Sequence, residues 1–320
     1  MDSLDMADCT CASKTAYDPA GLPGGSYIFA GELKTHFALP KAIALDRAGN
    51  LYVGCSGQGG LQKFAAADTP EKFTPAWTVQ RNKDGYSVLG LAVDRIGNIC
   101  ATVRTKTAHE VQRFSADGTF LAAWGAIGTR AGQLCMPNGI ALGRDDNVYI
   151  ADTSMWGVGS SHRIQKFTPD GKFLLTWGTE GSGDGQLNLP VAVALDAQGN
   201  VHVADTYNSR VQKFAPDGKF LGKWGSHGYE AGRLDCPQGL ALDRAGNIFL
   251  ADTYNNRVQK FAPDGTLLAH WGRQGTEPGR FWLPCAVAVD NAGSVYVADT
   301  MNDRVQIFHP RAAEGGHHGS

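Results

Sequence analysis

Four aspartates in this 320-residue chain each stand a short way before an arginine: Asp152 with Arg163, Asp205 with Arg210, Asp252 with Arg257 and Asp299 with Arg304. A carboxylate and a guanidinium at such spacing could serve acid–base chemistry, or could form a desolvated ion pair that fixes a turn. Two further stretches repeat the surrounding pattern, and there Cys55 with Gly60, and Val103 with Glu110, take the two places. Acid and base are lost together. A partly buried pair requires this, because deleting one partner strands the other's charge at a cost of about 3–5 kcal/mol. The pairs are read as structural, since a catalytic carboxylate needs an environment of its own and four near-identical copies do not supply one.

Seven cysteines form the second reactive set. An odd count with no export signal indicates reduced thiols, whose ordinary place is as small buried hydrophobes. Cys135, Cys236 and Cys285 each fall within two residues of a proline (Pro137, Pro237 and Pro284), and Cys55 closes a strand. A soft-metal or redox site is the sharper reading of these four. Cys9-Thr10-Cys11 and His317-His318 lie in the tails, too far from any framework to be built sites. There is no G-x-S-x-G elbow, no Walker loop and no G-x-G-x-x-G after a strand.

What positions these side chains is a repeat. The aspartates above, each followed by threonine except for its spacing, recur at intervals of 53, 47 and 47 residues. Trp77, Trp124, Trp177, Trp224 and Trp271 keep the same beat, and Gln62, Gln112, Gln165, Gln212, Gln259 and Gln306 are each followed two residues later by phenylalanine. Six units of about 47 residues therefore fill residues 26–310. In the unit 190–225, VAVALD, VHVAD, RVQKF and KFLGKW are four short strands separated by turn residues, with no helical periodicity. Six such sheets predict an all-β, six-bladed β-propeller with four-stranded antiparallel blades. The sixth unit lacks its fourth strand, and Ser26–Gly31 at the N-terminal end is expected to complete it, in the place where other units carry F-L-x-x-W-G. Residues 1–25 and 311–320 are expected to be disordered tails.

PVAVALDAQGNVHVADTYNSRVQKF (190–214) and PQGLALDRAGNIFLADTYNNRVQKF (237–261), preceded by GQLNLP and GRLDCP, resemble the NHL repeat. The resemblance covers nearly all of residues 26–310 and is sharpest in units four to six. It implies a six-bladed NHL propeller, a family whose members include protein and RNA interaction platforms and also enzymes, notably a metal-dependent amidating lyase. Fold alone does not choose between them. The lyase-like members need zinc held by histidines from several blades around the channel, with one position open. His36, His109 and His162, with Asn138, are the candidate ligands here. No three histidines occupy equivalent positions in different units, which departs from the lyase pattern; His202 fills a slot held elsewhere by Tyr52, Tyr149, Phe249 and Tyr296 and belongs to the core. A calcium-dependent lactonase of related shape would need carboxylates and amides at the channel. After the opening prolines come Lys41, Asn138, Val191, Gln238 and Cys285, of which Asn138 and Gln238 suit such a site.

Departures from the repeat cluster in the turns between second and third strands of units one to three. Ser56–Gly59 and Arg104–His109 break the consensus, and unit three is six residues longer, placing Trp156 and His162 in its loop. In NHL-like propellers these turns share one face, the top, with the connections leading into each first strand. A non-catalytic platform binding a protein or peptide there is the leading expectation, with Lys41, Arg104, Lys106, Asn138, Trp156, His162 and Gln238 as contacts. No cofactor is expected for it; the alternative, a metal-dependent lyase or lactonase-type hydrolase acting on a small molecule at the channel mouth, brings zinc or calcium. A net charge of −2 argues against nucleic acid as the partner. No apolar run reaches the roughly 18–20 residues of a membrane helix. The N-terminal 25 residues lack a secretory pattern, so a cytoplasmic location is expected, with non-classical export left open.

Overall fold

The computed structural model describes residues 26–34, 37–56, 60–67, 69, 72–79, 85–154 and 161–311. Alternating β-branched and aromatic runs, cut by Asp-x-x-Gly-Asn and Pro-Asp-Gly turns, fold into six four-stranded antiparallel sheets around one axis. One strand, β1 (Tyr27–Leu33), precedes the first full blade. Blade 1 is β2 (Pro40–Leu45), β3 (Leu51–Cys55), β4 (Leu61–Ala65) and β5 (Thr74–Val79); blade 2 is β6 (Ser87–Val93), β7 (Ile99–Arg104), β8 (His109–Phe114) and β9 (Phe120–Trp124). Blade 3 is β10 (Met136–Leu142), β11 (Val148–Thr153), β12 (Arg163–Phe167) and β13 (Phe173–Trp177); blade 4 is β14 (Pro190–Leu195), β15 (Val201–Asp205), β16 (Arg210–Phe214) and β17 (Phe220–Trp224). Blade 5 is β18 (Gly239–Leu242), β19 (Ile248–Asp252), β20 (Arg257–Phe261) and β21 (Leu267–Trp271). Blade 6 is β22 (Pro284–Val289), β23 (Val295–Asp299), β24 (Arg304–Pro310) and then β1, paired antiparallel to β24 from Tyr27↔Pro310 to Leu33↔Val305. The N-terminal strand thus completes the last blade, as expected.

Its alignment is shifted from expectation. Leu33, opposite Val305, takes the position that Trp224 holds opposite Val211, so no tryptophan closes blade 6. In blades 1 to 4 the tryptophan of the outer strand packs on a turn glycine of the next blade: Trp77 on Gly118, Trp124 on Gly171, Trp177 on Gly218 and Trp224 on Gly265. Trp271 has no such turn to meet, because the third and fourth strands of blade 6, β24 and β1, are not consecutive in the chain. Tyr27 fills the gap, stacked on Trp271 with ring centroids 4.5 Å apart and 18° between planes.

The core is divided into layers between blades. Each hydrophobic cluster joins two neighbours, as Tyr149, Ile164 and Leu187 of blade 3 and its outgoing connection join Val193, Val203 and Phe214 of blade 4. The inner strands close the ring at the axis. There they approach so closely that a Cβ on Gly139 would lie 2.6 Å from the Val191 carbonyl oxygen, and one on Gly239 2.7 Å from Ala286 Cα. In five of the six blades the inner strand bulges near its start, the register shifting between Pro40 and Ala42, Val88 and Gly90, Pro137 and Ile140, Pro190 and Ala192, and Pro284 and Ala286.

Candidate functional site

The top face is built by the turns between second and third strands and by the connections that cross from each outer strand to the next inner one. The Asp/Arg pairs hold it rigid. In blade 4, Arg210 Nε donates to Asp205 Oδ2 at 2.7 Å, and its other nitrogens donate to the carbonyls of Ser182, Gly183 and Gln186 in the incoming connection. Gln212 Nε2 donates to Gln186 O and to Asp205 Oδ2, while its Oε1 accepts the Gly185 N–H at 3.0 Å. Asp205 Oδ1 accepts the Asn188 N–H at 2.6 Å. Blades 3, 5 and 6 repeat the arrangement with Arg163, Arg257 and Arg304. Every carboxylate is fully buried and hydrogen-bonded, so these groups clamp backbone, as their paired loss in blades 1 and 2 indicates. In blades 3 to 6 the third-strand glutamine belongs to the same clamp, whereas in blade 2 Gln112 accepts from Tyr86 Oη and donates to Glu110 instead.

Two further devices tie one blade to the next. Threonine hydroxyls donate to the opening proline of the following blade: Thr206 to Pro237 O (2.7 Å), Thr253 to Pro284 O (2.8 Å) and Thr300, across the ring closure, to Pro40 O (2.7 Å). The residue just before each clamp arginine accepts a backbone N–H from the next connection: Asn256 Oδ1 from Leu283 (2.8 Å) and Asp303 Oδ1 from Leu39 (2.8 Å). His162 is the same device. Its Nδ1 accepts the Leu189 N–H at 2.6 Å, and burial holds its pKa below the ordinary 6.5. His109 occupies the corresponding place in blade 2, opposite Arg104. Its ring is half-buried, hydrogen-bonded to the Cys135 backbone, and also lowered in pKa by burial.

The other candidates distribute as follows. Asn138 is buried, with Nδ2 on Met136 O (3.3 Å) and Thr153 Oγ1 (3.1 Å), so its amide nitrogen is engaged within blade 3. Lys41 is half-buried at the bulge of β2 and Gln238 half-buried just before β18, its N–H donating to Ala251 O; Arg104 is half-buried and Lys106 exposed on the blade 2 turn. Trp156 and His36 lie outside the described residues, as do Cys9, Cys11 and the residues of both expected tails except Arg311. His162 Nδ1 and the Asn138 amide nitrogen are thus already engaged within the fold. Among the described residues no three His, Cys, Asp or Glu side chains gather around a metal position. The five described cysteines are buried and unbridged.

Sequence reasoning passed over the consensus half of the top face, where, together with the entry to blade 1, several large apolar groups stand exposed. Tyr207 on the blade 4 turn is 41% exposed, Met301 on the blade 6 turn 38%, Trp282 in the connection into blade 6 42%, and Leu39 in the connection into blade 1 39%. The Met301 N–H bonds Trp282 O at 3.1 Å, and Leu39 is held by Asp303 of the same turn, so three of the four sit on one bonded framework. The only signal in the sequence was the bulk of x in D-T-x-N and of Trp282 within F-W-L-P.

The architecture is that of a six-bladed β-propeller with a clamped, loop-built top. A family model for the NHL repeat matches residues 134–167, 187–214 and 234–261, so the six-bladed β-propeller carries NHL repeats. It is 35% identical over 72 residues to Protein brain tumor of Drosophila melanogaster, covering 22% of this chain and 6% of that one. It is 29% identical over 107 residues to NHL repeat-containing protein 3 of Homo sapiens, covering 31% of this chain and 29% of that one. The matches thus span less than a third of either relative. Among solved structures, a streptogramin B lyase superposes with a TM-score of 0.60 at 14% identity, covering 89% of this chain and 98% of that one. A catalytically inactive virginiamycin B lyase from Staphylococcus aureus with quinupristin gives 0.57 at 15%, covering 89% of each. These two likenesses are of fold.

Proposed function

We propose that this protein is a non-catalytic binding platform that holds a protein or peptide partner on the top face of its propeller. The observation that carries the reading is the set Tyr207, Trp282, Met301 and Leu39, apolar side chains left in solvent on a backbone that clamps and latches hold in place. Single exposed apolar residues are ordinary, whereas several on adjoining pinned loops mark an interaction surface. Aromatic anchors on rigid backbone lose little freedom on binding, which is how hot spots gain their weight. Arg104 and Lys106 on the blade 2 turn give this face a basic side; His162, Asn138, Lys41 and Gln238, together with Trp156 from the sequence alone, are the further contacts proposed. The NHL resemblance supports the same reading through the family's platforms.

The test begins with a partner captured by the full chain, purified and shown to bind it directly. Tyr207→Ala combined with Trp282→Ala is expected to weaken that binding about tenfold or more, with Arg104→Ala and Lys106→Ala acting less strongly. Unchanged affinity in the Tyr207/Trp282 variant would overturn the proposal. So would stoichiometric zinc or calcium in protein lacking residues 311–320 together with turnover of a lyase or lactonase substrate.

A further inference from the structure

The seam where blade 6 meets blade 1 brings a thiol and an amine from opposite parts of the chain into contact. Lys41 Nζ lies 3.4 Å from Cys285 Sγ, although the two residues are 244 positions apart in the chain. Both are the bulged residue of an inner strand, β2 and β22, and these two strands adjoin at the axis. Cys285 is 5% exposed, its Sγ also directed to Leu283 O at 3.4 Å, while Lys41 is half-buried and reaches solvent. Cys55 and Cys100 differ: both are sealed between blades, where burial pushes the thiols up to about 12 and about 11.

We propose that Cys285 and Lys41 are a peroxide-sensitive cross-linking site that closes the propeller seam covalently. Hydrogen peroxide takes two electrons from the Cys285 sulfur, giving a sulfenic acid and one water. Sulfenic sulfur is electrophilic and condenses with a neighbouring nitrogen. The unprotonated Lys41 Nζ supplies the electron pair: an S–N bond forms, the S–O bond breaks, and hydroxide leaves as water with a proton from nitrogen. Thiol, amine and one peroxide thus become a sulfenamide and two waters. Two equivalents of an added thiol reverse the step and end as a disulfide. The seam is otherwise held by non-covalent ties, Thr300 on Pro40, Leu39 on Asp303 and β1 on β24, so the bond acts where the ring is joined.

The experiment treats the full chain with hydrogen peroxide, alkylates remaining thiols, and digests with trypsin without reductant. The expected product is the peptide carrying residue 285 joined to the one carrying Lys41, lighter than their sum by two hydrogens, with cleavage after Lys41 lost. Dithiothreitol restores both peptides. The oxidised protein melts at a higher temperature than the reduced one. In Lys41→Arg the charge remains but no joined peptide forms, Cys285 proceeds to sulfinic acid, and the melting gain is absent. Lys41→Met is a second control should either variant fold poorly. The proposal is overturned if Cys285 stays fully alkylatable after peroxide. It is also overturned if wild type and Lys41→Arg give equal sulfinic acid while trypsin still cuts after Lys41.

Discussion

His162 and Asn256 hold equivalent seams with different chemistry, and only one of them is sensitive to protons. The imidazole Nδ1 can accept the Leu189 N–H only while unprotonated, and burial keeps the folded pKa below 6.5. An unfolded chain takes up its proton near 6.5, the folded chain only at lower pH. Between the two values the unfolded state binds more protons, so stability falls as pH falls. His109, His202 and His270, all lowered by burial, act in the same direction. The urea midpoint is therefore expected to drop between pH 7 and about pH 5. His162→Asn, which keeps an acceptor like that of Asn256, should reduce this slope while changing stability at pH 7 by less than about 1 kcal/mol. An unaltered slope would remove the latch from the account. The sequence showed His162 as part of a lengthened loop because the insertion before it hid its register; its slot, directly ahead of Arg163, is readable only once the clamp is known.

At the level of strands, the axis demands small residues. Position two after each opening residue is Ala42, Gly90, Gly139, Ala192, Gly239 or Ala286, and the next inner strand leaves no room for more. Gly139→Ala would drive a methyl into the Val191 carbonyl oxygen and Ala192 Cα, at 2.6 and 2.8 Å, which are backbone atoms and cannot swing away. Denaturant unfolding should show a loss of about 1–3 kcal/mol. Gly222→Ala, on an outer strand with nothing within 4 Å of the added carbon, is the matched control and should be neutral or mildly stabilising. Strand order and the borrowed fourth strand were legible from turn chemistry and the repeat. The bulges were not, because no residue type compels them, and the shifted place of Leu33 followed from pairing with β24 rather than from any motif.

For the whole molecule, the division of the core between blades explains why the repeat was so readable. Each blade must offer its neighbour the same surface it receives, so Gln, Phe, Trp and the clamp recur, whereas side chains that face solvent at the top answer to no neighbour. The exposed arc of blades 4, 6 and 1 could not be inferred from periodicity for that reason. Ring closure should also show as cooperativity. Removing residues 1–33 uncovers the β24 edge and takes Tyr27 from Trp271; the expected result is a lower, broader unfolding transition and altered tryptophan emission. An unchanged single transition would mean that the other five seams suffice.

β1 pairs with a strand that ends about 280 residues later. During synthesis at about 5–20 residues per second, this strand therefore waits roughly a quarter of a minute to a minute for its partner. Throughout that interval Tyr27, Ile28, Phe29 and Leu33 belong to a bare apolar ribbon, the kind of segment that chaperones hold and that other nascent chains capture. Even after closure Ile28 and Phe29 remain 46% and 38% exposed. Circularly permuting the chain so that its ends fall in a turn between complete blades would abolish the wait, and the recovery of soluble protein would register how much of its biogenesis that one strand governs.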